Sequence, residues 1–328
     1  MARHLNFKDK IFRIQSTSDF ESVAVELCNY QLKNNAVYSK YVNVLGVEAV
    51  THFEEIPFLP IRFFKQFEVK TGTFEAEAVF TSSGTTGMET SKHFVKELSV
   101  YEESYLKAFR MFYGNPEDYF FAALLPSYLE RTGSSLIDMC KGLIQLSQDE
   151  DSGFFLNEYR QLCKLLQKKK IEGKKVFLIG VTFGLLDFAE QFSMDLSGAI
   201  IMETGGMKGR RKEMIRKEVH QILTKAFNVS QIHSEYGMTE LLSQAYSDGN
   251  GFFKTPPWID IQIRSITDPF QRVHNGKTGG INVIDLANIH SCAFIETQDL
   301  GRKNKNALFE VMGRFDDSDV RGCNLMVV

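Results

Sequence analysis

Seven consecutive residues, Thr81-Ser82-Ser83-Gly84-Thr85-Thr86-Gly87, combine Ser and Thr hydroxyls with two glycines. Glycine lets the backbone turn its N–H groups toward one point with no Cβ in the way. The hydroxyls add donors for phosphate oxygens. The same composition also makes an ordinary polar turn. Two familiar nucleotide loops are excluded. Met88 follows Gly87 where a P-loop needs Lys-Ser or Lys-Thr, and the glycines lack the GxGxxG spacing.

Such a loop needs elements to carry it. A strand-like run, Ala76–Thr81, precedes it, and Tyr119–Leu125, Val176–Gly180, Ala199–Met202 and Gln231–Ser234 are runs of similar kind. Helical patterns alternate with them. Ser18-Asp19-Phe20-Glu21 reads as a capping box ahead of Val23, Ala24 and Leu27, and Ser99-Val100-Tyr101-Glu102 as another ahead of Tyr105, Ala108 and Phe109. Further helices are predicted over Leu156–Leu166 and Met214–Phe227. From Trp258 the texture changes to strands Ile259–Arg264, Ile281–Asp285, Ala293–Glu296 and Ala307–Val311, separated by Gly, Asn, Asp and Lys turns. The fold class is therefore α/β: βαβ layers first, a β-rich subdomain in the last third.

Composition narrows the function. The 38 basic and 41 acidic residues leave a net charge of −3, which argues against nucleic acid and charged membranes as partners. The lysine-rich stretches Lys168–Lys170, Lys174–Lys175 and Lys208–Lys217 read as solvated helix ends and faces. Cys28, Cys140, Cys163, Cys292 and Cys323 form no CxxC pair, which argues against a disulfide framework or zinc site and for a reducing compartment. No stretch approaches the ~20 apolar residues of a membrane span, and no signal-peptide pattern opens the chain. A soluble, cytoplasmic protein is the expectation.

The hydroxyl-rich loop resembles the phosphate loop of the adenylate-forming superfamily, T-S-G-T-T-G followed by Pro-Lys. The resemblance implies that Ser82, Ser83, Gly84, Thr85, Thr86 and Gly87 grip the phosphates of ATP. Lys92 comes later than the family's lysine, behind Met88-Glu89-Thr90-Ser91. Four further segments resemble the same superfamily in the same chain order. Glu203-Thr204-Gly205-Gly206 resembles the turn that flanks adenine, with Gly205 and Gly206 its glycines. Ser234-Glu235-Tyr236-Gly237-Met238-Thr239-Glu240 resembles the Y-G-x-T-E motif. There Tyr236 and Gly237 lie near adenine, Thr239 meets phosphate, and Glu240 helps hold Mg²⁺, a cation that takes carboxylate and phosphate oxygens together. Glu296-Thr297-Gln298-Asp299 resembles T-G-D with Gln298 for glycine, and implies that Asp299 binds the ribose. Gly313-Arg314-Phe315-Asp316-Asp317 resembles the hinge whose arginine, here Arg314, contacts the nucleotide. Residues 1–312 then form the adenylate-forming large domain, β-rich from about 255, and 313–328 the hinge and a truncated tail. In the superfamily a small domain follows the hinge and supplies a lysine; here only Ser318–Val328 follow.

That shortness, together with Leu125-Pro126-Ser127-Tyr128-Leu129-Glu130-Arg131, Ser134-Ser135-Leu136 and Arg321-Gly322-Cys323-Asn324-Leu325-Met326, resembles the LuxE-like acyl-protein synthetases. The resemblance implies ATP and Mg²⁺ as cofactors and activation of a carboxylic acid, fatty in that family, as its adenylate. The acyl group then moves to the enzyme's own cysteine, here Cys323, for an acyl reductase partner. Arg321 and Arg314 would favour the thiolate. Tyr128, Val181, Thr182, Phe183 and Gly184 would line the acid pocket by the same resemblance. Arg131 fits an ordinary surface role at least equally well, and His233 reads more safely as a satisfied structural histidine. Three other functions stay open: a ligase delivering the acyl group to coenzyme A or a carrier protein, a non-catalytic nucleotide-binding subunit of a reductase, and a phosphotransferase that would yield ADP and not AMP.

Overall fold

The computed structural model describes residues 7–82, 89–126, 133–205 and 214–315. Its contacts divide the chain into Ala76–Pro256 and a second unit made of Met1–Glu75 with Pro257–Val328.

The N-terminal part of the second unit holds α1 (Phe7–Ile11), α2 (Thr17–Asn34), α3 (Ala36–Val44), β1 (Leu59–Pro60) and α4 (Phe63–Gln66). In α2 the predicted apolar face, Phe20, Val23, Ala24 and Leu27, is buried. Its capping box lies upstream of the predicted one. The Ser16 hydroxyl accepts the Asp19 N–H, and the Asp19 carboxylate accepts the Ser16 N–H. Asp19 thus sits at the third helical position, where a carboxylate reaches back to the cap, and Ser18 lies already inside the helix.

The middle unit, Ala76–Pro256, begins with the antiparallel pair β2 (Ala78–Thr81) and β3 (Lys92–Val95). Then follow α5 (Leu98–Tyr113), β4 (Tyr119–Leu124), α6 (Ser135–Leu146), β5 (Gly153–Phe155), α7 (Tyr159–Ile171), β6 (Lys175–Val181), α8 (Thr182–Gln191), β7 (Ile200–Thr204), α9 (Arg216–Phe227), β8 (His233–Tyr236) and β9 (Ala245–Ser247). The sheet order is β5-β4-β6-β7-β8-β9, parallel except for β9. Every residue of β4 is buried, as helices on both faces of a parallel sheet require. Phe121 of β4 stacks on Phe177 of β6, ring centroids 4.9 Å apart.

Three local expectations are corrected here. No side chain of its own caps α5; the Glu77 carboxylate accepts the Leu98 N–H instead, at 2.7 Å. The helix predicted from Leu156 starts at Tyr159, because Gly153–Phe155 just before it pairs with β4. Lys169 is not solvated: its ammonium is buried between Asp149 and Asp151, each at 2.8 Å, and that pairing offsets its desolvation.

The second unit resumes with β10 (Ile259–Arg264), β11 (Gly279–Asp285), β12 (Phe294–Lys303) and β13 (Phe309–Arg314), an antiparallel run with β1 added parallel to β12. β12 outruns its predicted Ala293–Glu296 because its second half is polar and only partly buried, so hydropathy marks only the first half. Buried amides join this sheet's loops to the N-terminal helices. Gln31 donates to the Asn288 and Ile289 carbonyls and accepts the Ala293 N–H, while Asn35 donates to the Ser291 carbonyl. Among the described residues no helix is long and apolar enough to cross a membrane.

Candidate active site

In the middle unit the β2–β3 hairpin presents both ends of the hydroxyl-rich loop. The Ser82 hydroxyl accepts the Ser91 N–H at 2.9 Å, and the Thr81 N–H donates to the Gly133 carbonyl at 2.7 Å. Ser83, Gly84, Thr85, Thr86 and Gly87 lie outside the described residues, as do Tyr128, Arg131, Gly206 and Cys323. Lys92 is exposed at the start of β3. Next to it, His93 is buried, with Nδ1 2.9 Å from the Thr239 carbonyl. Burial pushes this imidazole down to about 4, so it is neutral near pH 7 and its Nδ1–H donates to that carbonyl. The hairpin and the Tyr236–Glu240 turn are thereby tied together.

That turn follows β8 directly. Tyr236, against Phe253, and Glu240 are buried, whereas Gly237 is exposed. Beside it two carboxylates face different fates. Glu203, on β7, accepts the Thr182 hydroxyl at 3.0 Å and Arg216 Nε at 3.1 Å, with His220 Nε2 at 3.7 Å. Burial alone would raise its carboxyl, but His220 and Arg216 hold it below its ordinary value. Glu235, on β8, accepts the Thr204 hydroxyl at 2.5 Å. Burial pushes it up to about 7, against the Thr204 hydrogen bond and with help from the Glu203 charge.

A cavity of about 130 Å³ opens at this point, lined by Thr81, Thr204, Gly205, Glu235, Thr239 and Gln244 and by the first turn of α6. Of the predicted site residues it takes Gly205, Gly237 and Thr239. Val181, Thr182, Phe183 and Gly184 are buried at the β6–α8 turn and do not line it. Thr182 stands behind the wall, donating to the Gly205 carbonyl at 3.0 Å. Sequence reasoning gave no role to Glu235, His93 or Gln244. The one signal for Glu235 was a carboxylate on a strand inside an otherwise recognised motif; Gln244 carried none.

In the second unit Asp299 and Arg314 are cross-strand partners on β12 and β13, with Arg314 Nε 3.4 Å from Asp299 Oδ1. The Thr297 hydroxyl accepts the Asp299 N–H and donates to the Ile281 carbonyl. Gln298 fits where the motif has glycine, because the strand is extended and its carbonyl accepts the Phe315 N–H at 2.7 Å. Under this strand Arg264 donates to Ile281 O, Asn282 Oδ1 and Thr297 O, with Glu296 at 3.6 Å.

Among the described residues no three His, Cys, Asp or Glu side chains cluster as a metal site. Mg²⁺ held through Glu240 would take its other oxygens from phosphate and water, which suits a cation that keeps its waters and binds nucleotide phosphates.

The fold is similar to that of several acyl-CoA ligases of known structure. A 2-hydroxyisobutyryl-CoA ligase aligns with TM-score 0.63 at 12% identity, over 93% of this chain and 70% of its own. ATP-bound MatB from Rhodopseudomonas palustris aligns with TM-score 0.56 at 14% identity, over 74% and 49%. A long-chain-fatty-acid-CoA ligase from Archaeoglobus fulgidus aligns with TM-score 0.52 at 14% identity, over 72% and 51%. The alignment thus spans about half the length of MatB. No curated protein matches the sequence. The model of the LuxE acyl-protein synthetase family matches residues 145–328, more than half of the chain, and the chain belongs to that family.

Proposed function

We propose that this chain activates a carboxylic acid with ATP as its acyl-adenylate and then passes the acyl group to a thiol. The observation that carries this reading is the cavity between Thr81 and Thr239 in a member of the LuxE family: a space for an organic acid adjoins both the hydroxyl-rich loop and the tyrosine motif. The acid's carboxylate oxygen attacks the α-phosphorus, and the bond to the pyrophosphate oxygen breaks. Ser82 through Gly87 hold the phosphates; Gly205, Gly206, Tyr236 and Gly237 flank adenine; Asp299 accepts from the ribose hydroxyls; Arg314 opposes phosphate charge. Mg²⁺, held by Glu240 when bound, neutralises phosphate charge. Tyr128 and Val181–Gly184 support the acid wall, Thr182 through its hold on Gly205.

A thiolate then attacks the acyl carbon, the S–C bond forming as the C–O bond to AMP breaks. The resemblance to the LuxE family points to a fatty acid, to Cys323 as the thiol and to an acyl reductase as recipient. Three of the four other cysteines favour Cys323 by contrast. Cys28, Cys140 and Cys292 are buried, and burial pushes all three thiols up, Cys28 to about 12. Gly313 opens the proposed hinge that ends the adenylating body, residues 1–312.

Carboxylate-dependent ATP–pyrophosphate exchange tests the first half. AMP and pyrophosphate are the expected products, and ADP with phosphate would refute it. Glu240→Gln should slow exchange more than it weakens ATP binding. Labelled acid with ATP should leave a hydroxylamine-sensitive label on the protein. Cys323→Ser should lose that label and keep exchange. Undiminished label in this variant would move the thioester to another cysteine, and product only on added coenzyme A would make the chain a ligase of that type.

A further inference from the structure

Two acceptor oxygens of residues that line the cavity have no donor among the described residues. Gln244 is 5% exposed, and its Oε1 has no hydrogen-bond partner among the described residues. Glu235 receives the Thr204 hydroxyl on Oε2, and no donor reaches its Oε1 among the described residues. Gly237 keeps that oxygen uncovered, for a Cβ there would stand 2.3 Å from it. No lysine, arginine or histidine lines the cavity among the described residues. The contrast with Glu203, on the neighbouring strand, is sharp: that carboxylate has an arginine, a histidine and a hydroxyl. A buried amide oxygen without a donor is costly to a fold unless a ligand supplies one, and the Glu235 oxygen left open beside it can take another.

We propose that the acid taken by this cavity carries a hydrogen-bond donor, an amino or hydroxyl group, on its acyl part, and that Glu235 and Gln244 receive it. The inference rests on the adenylation reading above and narrows its substrate. An unsubstituted hydrocarbon chain would exclude water from the Glu235 oxygen and pair with neither acceptor. A site built to receive a donor discriminates strongly against analogues that lack it. The exocyclic amine of adenine offers the same chemistry, so ATP must be read separately from the acid.

The experiment compares unsubstituted straight-chain acids with their hydroxy and amino derivatives, by pyrophosphate exchange and by calorimetric binding. The proteins are the wild type, Glu235→Gln, Glu235→Leu and Gln244→Leu. In the wild type the best substituted acid should exceed its parent by at least about tenfold in kcat/KM. Both leucine variants should shrink that preference while leaving KM for ATP unchanged. Glu235→Gln keeps the shape and guards against misfolding as the cause; it should weaken an ammonium-bearing acid more than a hydroxy acid. Parent acids that match or beat their derivatives in the wild type would overturn the proposal. So would leucine variants that raise KM for ATP and leave the ranking of acids intact, which would give the acceptors to adenine. If no acid supports exchange while calorimetry still shows Glu235-dependent binding of substituted acids, the adenylation reading falls and the cavity's preference stands. If neither signal appears, both fall.

Discussion

In the β-rich unit the Arg264 guanidinium meets two carbonyls, the Asn282 amide oxygen and Glu296. In the middle unit the Glu235 carboxylate meets one hydroxyl. Both are ionisable groups on strands; Arg264 is buried and Glu235 half-buried. Arg264 is saturated by its own unit and fixes three strands, β10, β11 and β12, in register. Among the described residues Glu235 is held at one oxygen and open at the other, beside a cavity. A buried charge whose partners are all internal is part of the scaffold, whereas one left short of partners has capacity for a ligand.

The largest effect expected from breaking this comparison comes on the saturated side. Arg264→Met strands Glu296, Asn282 and two carbonyls, and should destabilise the protein by about 3–5 kcal/mol in urea unfolding. A loss below about 1 kcal/mol would mean that the network does not hold the sheet.

The open side should respond through pH. Glu235 is pushed up to about 7 in the folded chain, above its ordinary value of 4.5. Between those values the folded state holds a proton that the unfolded state has released. Stability therefore falls as pH rises through this window, by on the order of 2–3 kcal/mol. Glu235→Gln should remove this slope and make the protein more stable than wild type at pH 8, as urea midpoints at pH 5 and pH 8 would reveal. Equal pH slopes in the two proteins would show that Glu235 titrates normally.

Gly237→Ala sharpens the contrast further. The added methyl would crowd Glu235 Oε1, the movable end of a side chain, so the stability loss should be only ~1 kcal/mol. The cavity would nonetheless narrow, and kcat/KM for the acid should drop with KM for ATP little changed. A proportional rise in KM for ATP would assign this face of the cavity to the nucleotide.

The smallest stability effect should belong to Arg314. It is 68% exposed and 3.4 Å from Asp299, an arrangement worth less than about 1 kcal/mol. Arg314→Ala should leave urea unfolding nearly unchanged while slowing pyrophosphate exchange. Unchanged exchange would reduce the Arg314–Asp299 pair to a surface contact.

How far the sequence reaches can be judged element by element. Strands announce themselves: Tyr119–Leu124 falls where an apolar run lies, and Ile259–Arg264 where isoleucine alternates with polar residues. Helix starts proved less legible. α5 is capped from Glu77, a residue with no place in any local pattern, and the box at Ser16 sits beside a second plausible box at Ser18. The polar half of β12, which carries Asp299, escaped the hydropathy reading because its ladder bonds depend on β13 and not on apolar faces. The recognised motifs were legible as strings because they use few residue types in contiguous order.

What the sequence by itself determined is therefore local and periodic: the α/β alternation, the change of texture near Trp258, and the hydroxyl-rich, tyrosine and hinge motifs. Only the tertiary structure decided what depends on distant partners. It joined residues 1–75 to the last third of the chain through Gln31 and Asn35. It buried Lys169 between two aspartates, and among the described residues it gave Glu203 an arginine, a histidine and hydroxyls but Glu235 a single hydroxyl. The physical reason is that burial and pairing are sums over neighbours in space. Two glutamates that look alike in a sequence acquire opposite chemistry once one of them folds against an arginine and the other against a cavity.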